Sequence, residues 1–180
     1  MNYFPKIEKW HIPRDLLAKS LEEMALDGVR GNEGICLWLG SRNDNGNATI
    51  THMALLRGPG ILKSPANIQI APELMREVHE TARDNGLTLV GQIHSHGRGY
   101  GVSLSYSDRT YGISVPYYLS LVAPDYAMNK ATKMEDCGVH MFLPKKGYVQ
   151  LGVKEVKRSV LIESGRSVTI LTIGDDDSRR

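Results

Sequence analysis

Leu16, Leu17, Leu21, Met24 and Ala25 recur at helical spacing through DLLAKSLEEMALDG, with Pro13 ahead of the segment and Gly28 behind it; this predicts an amphipathic helix over 15–28. The pattern then changes. GICLWLGSRN and ATITHMALLRG are apolar runs of strand length on either side of DNGN, and they predict a hairpin turning at Asp44–Asn47. A Pro- and Gly-bearing stretch, GPGILKSPANIQIAP, reads as a connecting loop. Beyond it Leu74, Met75, Val78 and Ala82 return to helical spacing, and Asn85-Gly86 stops the run. LTLVGQIHSH has the length and composition of a buried strand, and the glycines of GRGYG break it. SYSDRTYGI predicts a short helix capped by Ser105. YYLSLVAP predicts a strand, VHMFLPKKGYVQLGV a hairpin, and KRSVLIESGRSVTILTI late strands.

Helices and strands alternate without an internal repeat or an evident linker, which predicts an α/β class with a mixed sheet flanked by helices. One domain over 1–173 and a polar tail over 174–180 are expected. With 41% hydrophobic and 23% charged residues, 180 residues can bury a core without a staple. Lys and Arg total 22 against 20 acidic residues, and a net charge of +2 offers no electrostatic footprint for nucleic acid. MNYFPKIEKWHIPRD carries charges and prolines where a signal peptide needs an apolar run, so neither export nor a membrane partner is expected and the chain reads as cytoplasmic. Trp38 and Tyr117-Tyr118 read as core.

Two cysteines, Cys36 and Cys137, have no spacing that suggests a disulfide framework or a thiolate metal site, so a metal would have to use histidines and carboxylates. His94 and His96 stand two apart on a strand, which points both imidazoles to one face. Asp108 is the next acid downstream, and Gly97, Gly99 and Gly101 let the intervening loop fold back toward the pair. Three such ligands leave a fourth position open, the pattern of a catalytic zinc rather than a structural one. Singly, each residue has a plainer reading: two ordinary strand histidines, a helix-start carboxylate at Asp108, a strand-edge charge at Glu33, an N-cap at Ser105. His11, His52, His79 and His140 lack a ligand-like partner at short spacing and read as surface or satisfied core residues.

Read together, NEGICLWLG followed by HSHGRGYGVSLSYSD resembles the JAMM motif of the MPN+ (JAB-domain) metalloproteases: a glutamate before an apolar strand, then His-x-His, a loop, and Ser-x-x-Asp. The resemblance spans about 33–108. It implies an MPN/JAB, cytidine-deaminase-like fold, zinc held by His94, His96 and Asp108, Glu33 as general base, and Ser105 stabilising the developing oxyanion. Spacing alone leaves Ser103 and Ser107 as alternatives to Ser105. Gly97 stands where the family usually has proline, and the loop to the serine is one residue longer than usual.

The resemblance also implies a substrate: the C-terminal tail of a ubiquitin-like protein or its conjugates. Short stand-alone members resemble bacterial enzymes encoded beside ubiquitin-like conjugation systems, some of them antiviral, so activating and conjugating enzymes would be partners. In the family, segments matching Gly58–Pro72 and Pro124–Val139 guide the tail. The rival readings are a non-catalytic MPN scaffold, a RadC-like protein and a sulfur-carrier-processing peptidase. The complete motif set speaks against the scaffold.

Overall fold

A computed structural model describes residues 5–174 of the chain. The expected tail therefore lies, apart from Gly174, outside the described residues. Strand β1 (Lys9–Pro13) leads directly into helix α1 (Arg14–Gly28), and β2 (Ile35–Arg42) and β3 (Asn47–Leu56) form the expected hairpin. A small hairpin, β4 (Ile61–Ser64) and β5 (Asn67–Ile70), precedes α2 (Pro72–Asp84) and β6 (Thr88–Ser95). Then come α3 (Tyr106–Tyr111), β7 (Leu119–Ala123), β8 (Gly138–Leu143), β9 (Gly147–Gln150), α4 (Val153–Ser159), β10 (Val160–Glu163) and β11 (Thr169–Ile173).

Nine of these strands, among the described residues, make one mixed sheet in the order β10-β1-β3-β2-β6-β7-β8-β9, with β11 also lying against β3. β2 runs antiparallel between β3 and β6, and β6 is parallel to β7. A strand in this central place is covered on both faces, which is why ICLWLG is apolar throughout rather than alternating. Its two sets of side chains still part by period two. Cys36 and Trp38 pack with Leu21 and Met24 of α1, while Leu37 and Leu39 pack with Leu74, Val78 and Ala82 of α2. Trp38 and Tyr118 are fully buried, as expected of core; Tyr117 is half-buried and holds a positive φ of 60°.

Two expectations are corrected, and one element had no expectation. The stretch before α1 is a strand, since Trp10 and Ile12 alternate into the core while β1 pairs in parallel with β3 and β10. The Pro- and Gly-bearing stretch holds the β4–β5 hairpin, whose partly buried Ile61, Ile68 and Ile70 pack on the α2-side core. The late segment opens with α4, because Val156 packs on the α1-side core and Glu155 accepts from the Gly152 N–H at 2.8 Å, closing the first turn. Among the described residues no helix is long and apolar enough to cross a membrane.

Candidate metal centre

β6 carries the centre. His94 pairs with Ile35 on one side and Val122 on the other, so its side chain rises from the middle of the sheet near the start of β2. His96 follows two residues on, its N–H bonded to the Ala123 carbonyl at 2.9 Å. Asp108 arrives on α3, which begins in a reciprocal capping box. Ser105 Oγ accepts from the Asp108 N–H at 3.2 Å, and the Ser105 N–H donates to Asp108 Oδ2 at 2.7 Å. Loop glycines make the return possible: Gly99 and Gly101 hold φ of 80° and 70°.

His94 Nε2 and His96 Nε2 are 3.2 Å apart, His94 Nε2 is 3.5 Å from Asp108 Oδ1, and His96 Nε2 is 3.2 Å from Asp108 Oδ2. Three donors on a tetrahedral ion with bonds of about 2.0–2.1 Å would stand about 3.3 Å from one another. The triangle fits such an ion without rearrangement. His96 Nδ1 lies 3.1 Å from the Gly101 carbonyl, which can only accept, so Nδ1 keeps a proton; Nε2, which donates to Asp108 when the ring is charged, would turn its lone pair to an ion in the triangle.

Electrostatics bind the group together. Burial pushes Asp108 upward, but hydrogen bonds from His94 and His96, the His94 charge and the Ser105 side chain outweigh it and hold the carboxyl far below the usual range. Burial alone would lower the pKa of His96; Asp108, Glu33 and the Gly101 carbonyl together raise it. Glu33 stands just ahead of β2, 6% exposed, and its carboxyl is pushed up to about 7. Burial is the main cause; the His96 charge and the Gly97 N–H oppose it, and Asp108 reinforces it.

A cavity of about 140 Å³ opens on the triangle and is bordered by Glu33, His94, Asp108, Ser107, Ile68 and Met75. The structure thus brings Glu33, His94, His96 and Asp108 into one group. Ser105 is turned to capping α3 and holding Asp108, whereas Ser107 borders the cavity. His52 pairs with Leu39, six residues along β2 from Glu33, or about 20 Å at strand rise, and bonds to Thr51. His140 corrects the expectation of a satisfied core residue: it is fully buried and neither ring nitrogen has a hydrogen bond of ordinary geometry.

No family model matches the chain. A probable metalloprotease of Sinorhizobium fredii, y4jG, is 31% identical over 119 residues, covering 64% of this chain and 71% of that protein. The chain belongs to this metalloprotease family. Its fold is similar to that of protein DSY2949 from Desulfitobacterium hafniense, with a TM-score of 0.56 at 16% identity over 87% of this chain and 94% of the other. A protein from Salinibacter ruber gives 0.51 at 15% identity, over 79% and 89%.

In this chain the two thiols stand apart from the candidate centre. Cys36 and Cys137 are free and buried, and burial pushes both up to about 12, so neither supplies a thiolate at neutral pH. Sequence reasoning missed three contributors. Gln92, two residues before His94 on β6, shares its face and would have been found by the period-two step that paired the histidines. The Gly101 carbonyl has no sequence signal. Tyr126 reads only as one more loop tyrosine, yet its N–H donates to the His96 carbonyl at 2.7 Å and its hydroxyl to the Pro65 carbonyl at 3.1 Å.

Proposed function

We propose that this metalloprotease is a zinc-dependent isopeptidase of the JAMM/MPN+ type that cuts after the C-terminal tail of a ubiquitin-like protein. One observation carries the reading: a buried carboxylate poised near neutral pH borders the same small cavity as a ready-made His-His-Asp triangle. The donor set, two imidazoles and a carboxylate with no thiolate, suits zinc in a site that keeps one position open. Zinc bound there would acidify water and polarise the scissile carbonyl.

The remaining steps fall to the chain itself. Glu33 takes one proton from the attacking water on its carboxylate and returns it to the leaving amine, so water adds across the C–N bond and no covalent enzyme intermediate is needed. Ser105 Oγ receives the Asp108 N–H through a lone pair, and its own proton, shared with the Asp108 carboxylate at rest, would turn to the developing oxyanion. Ser107, bordering the cavity, is the alternative donor. The tail would lie extended beside the β4–β5 hairpin, whose Asn67, Ile68 and Ile70 border the cavity, held by main-chain hydrogen bonds. A cytoplasmic bacterial conjugation system, with its activating and conjugating enzymes and in some cases an antiviral role, is the setting this reading implies.

Elemental analysis and cleavage of ubiquitin-like fusions test it together. About one zinc per chain, lost in a His94→Ala/His96→Ala variant, with release of the fused partner after the tail, is expected. Zinc without cleavage of any fusion would point to a scaffold. Cleavage confined to linear fusions of a sulfur carrier would make the protein a processing peptidase.

A further inference from the structure

The two histidines of the triangle are oriented differently. His96 has a fixed acceptor at Nδ1, but His94 has only the side chain of Gln92, whose Nε2 is 3.5 Å away. The same Nε2 donates to Ser120 Oγ at 3.3 Å, and Gln92 Oε1 accepts from the Tyr118 hydroxyl at 3.2 Å. Burial pushes the Tyr118 phenol well above its ordinary value, so it keeps the proton it donates. Gln92, Ser120 and Tyr118 are all buried, with Gln92 and Ser120 bordering the cavity beside the triangle.

With the Gln92 amide in this orientation and the His94 ring neutral, one set of protons fits. The Gln92 N–H points at His94 Nδ1, which must accept, so the neutral ring carries its proton on Nε2 and directs it at Asp108 Oδ1, 3.5 Å away. A ring in that state cannot ligate through Nε2. Ligation needs the opposite tautomer, with Nδ1–H donating to an acceptor. A carboxamide supplies one by turning half a revolution about its last bond: Oε1 then faces His94 Nδ1–H, Ser120 can donate to it, and Nε2 donates to the Tyr118 oxygen. No heavy atom has to leave its place.

We propose that Gln92 is the positioning residue of His94, and that its amide turns over when the metal binds, exchanging a donor for an acceptor at Nδ1. Gln92 touches neither the ion nor substrate. The proposal rests on the metal reading above, and zinc affinity separates the two: a wild-type protein that takes up no zinc sinks both, whereas zinc uptake that does not depend on Gln92 sinks this one alone.

Zinc dissociation constants by competition with a chromophoric chelator provide the test. Gln92→Met keeps the length but has no strong acceptor and should weaken zinc about 10- to 100-fold. Gln92→Glu offers an acceptor in every orientation and should stay within a few fold of wild type or bind tighter. Unchanged affinity in Gln92→Met, or equal losses in both variants, would overturn the proposal. Should either variant fold poorly, proton NMR of the wild-type protein decides. Adding zinc should move the contacts of the Gln92 amide protons from the His94 ring to the Tyr118 ring, and amide protons that stay on His94 in the zinc-loaded protein exclude the turn.

Discussion

The backbone N–H of Glu33 donates to the carbonyl of Ser64 at 2.9 Å, joining the carboxylate that borders the metal triangle to the tip of the β4–β5 hairpin. Two more bonds fasten that tip. Lys63 Nζ lies 2.6 Å from Asp27 Oδ2 of α1, with both side chains largely buried, and Tyr126 holds the neighbouring Pro65 carbonyl.

The hairpin and Glu33 should therefore loosen together. Lys63→Met, which keeps the aliphatic stem but strands Asp27, should cost about 1–3 kcal/mol of stability and lower turnover. Its zinc content should stay near wild type, because no ligand is touched. Thermal melts, elemental analysis and cleavage rates on one preparation check this; a stable variant with full activity would show that the hairpin does not position the base.

Glu33→Gln separates base from ligand. Turnover should fall about 10²- to 10⁴-fold while zinc is retained. Asp108→Ala should lose the metal and the activity together, since that carboxylate is both a corner of the triangle and the acceptor of the Ser105 N–H.

Glu33 also sets a pH dependence in the metal-free protein. Its carboxyl is held at about 7 against an ordinary 4.5, so between those values the folded state binds more protons than the unfolded one. Stability from this group consequently falls as pH rises through that window, by about 3 kcal/mol in all. Glu33→Gln abolishes the loss, so its melting temperature in chelator should exceed that of wild type at pH 8 and match it near pH 4.5. A difference that stays constant with pH would show that Glu33 ionises freely.

Gly97 follows the second histidine, and a Cβ there would come within 2.7 Å of the Tyr126 hydroxyl oxygen and 2.8 Å of its ring carbon Cζ. The tyrosine occupies the space that a side chain at 97 would need. Gly97→Ala should cost about 1–3 kcal/mol, release the hairpin tip and lower turnover, and Tyr126→Phe, which removes the hydroxyl that holds Pro65, should lower it similarly. A double variant no worse than either single one would show that both act through the same bond.

Under the proposed function, the cavity of about 140 Å³ beside the triangle should make cleavage selective for small tail residues. Ubiquitin-like fusions whose last tail residue runs Gly, Ala, Leu should be cleaved at steeply falling rates, and equal rates along the series would mark a general peptidase.

Periodicity revealed α1, α2, β2, β3 and β6 because each buries a regular set of apolar residues. The metal triangle was legible because its three residues lie within fifteen positions on a strand, a glycine loop and a capped helix. What stayed hidden depends on contacts between distant segments. β1 is short, and its Trp10 and Ile12 acquire meaning only beside β3 and β10. The β4–β5 hairpin is built from an isoleucine-bearing stretch whose proline and glycines mimic a loop. Tyr126 sits among three successive non-glycine residues with positive φ, at 51°, 56° and 57°, a conformation their side chains do not advertise. The Gly101 carbonyl and the Gln92 amide act through atoms that no residue pattern orients.

β10 lies outside β1, and β11 takes up the part of the β3 edge that β1 leaves open. On a ribosome, residues 33–108 emerge complete while the partners of that flank, Val160–Glu163 and Thr169–Ile173, are still to be made. A nascent chain can thus gather its histidines and aspartate early, yet it carries unpaired strand edges until the last segments arrive. Chains stopped short of Val160 should retain the metal ligands and be lost to aggregation.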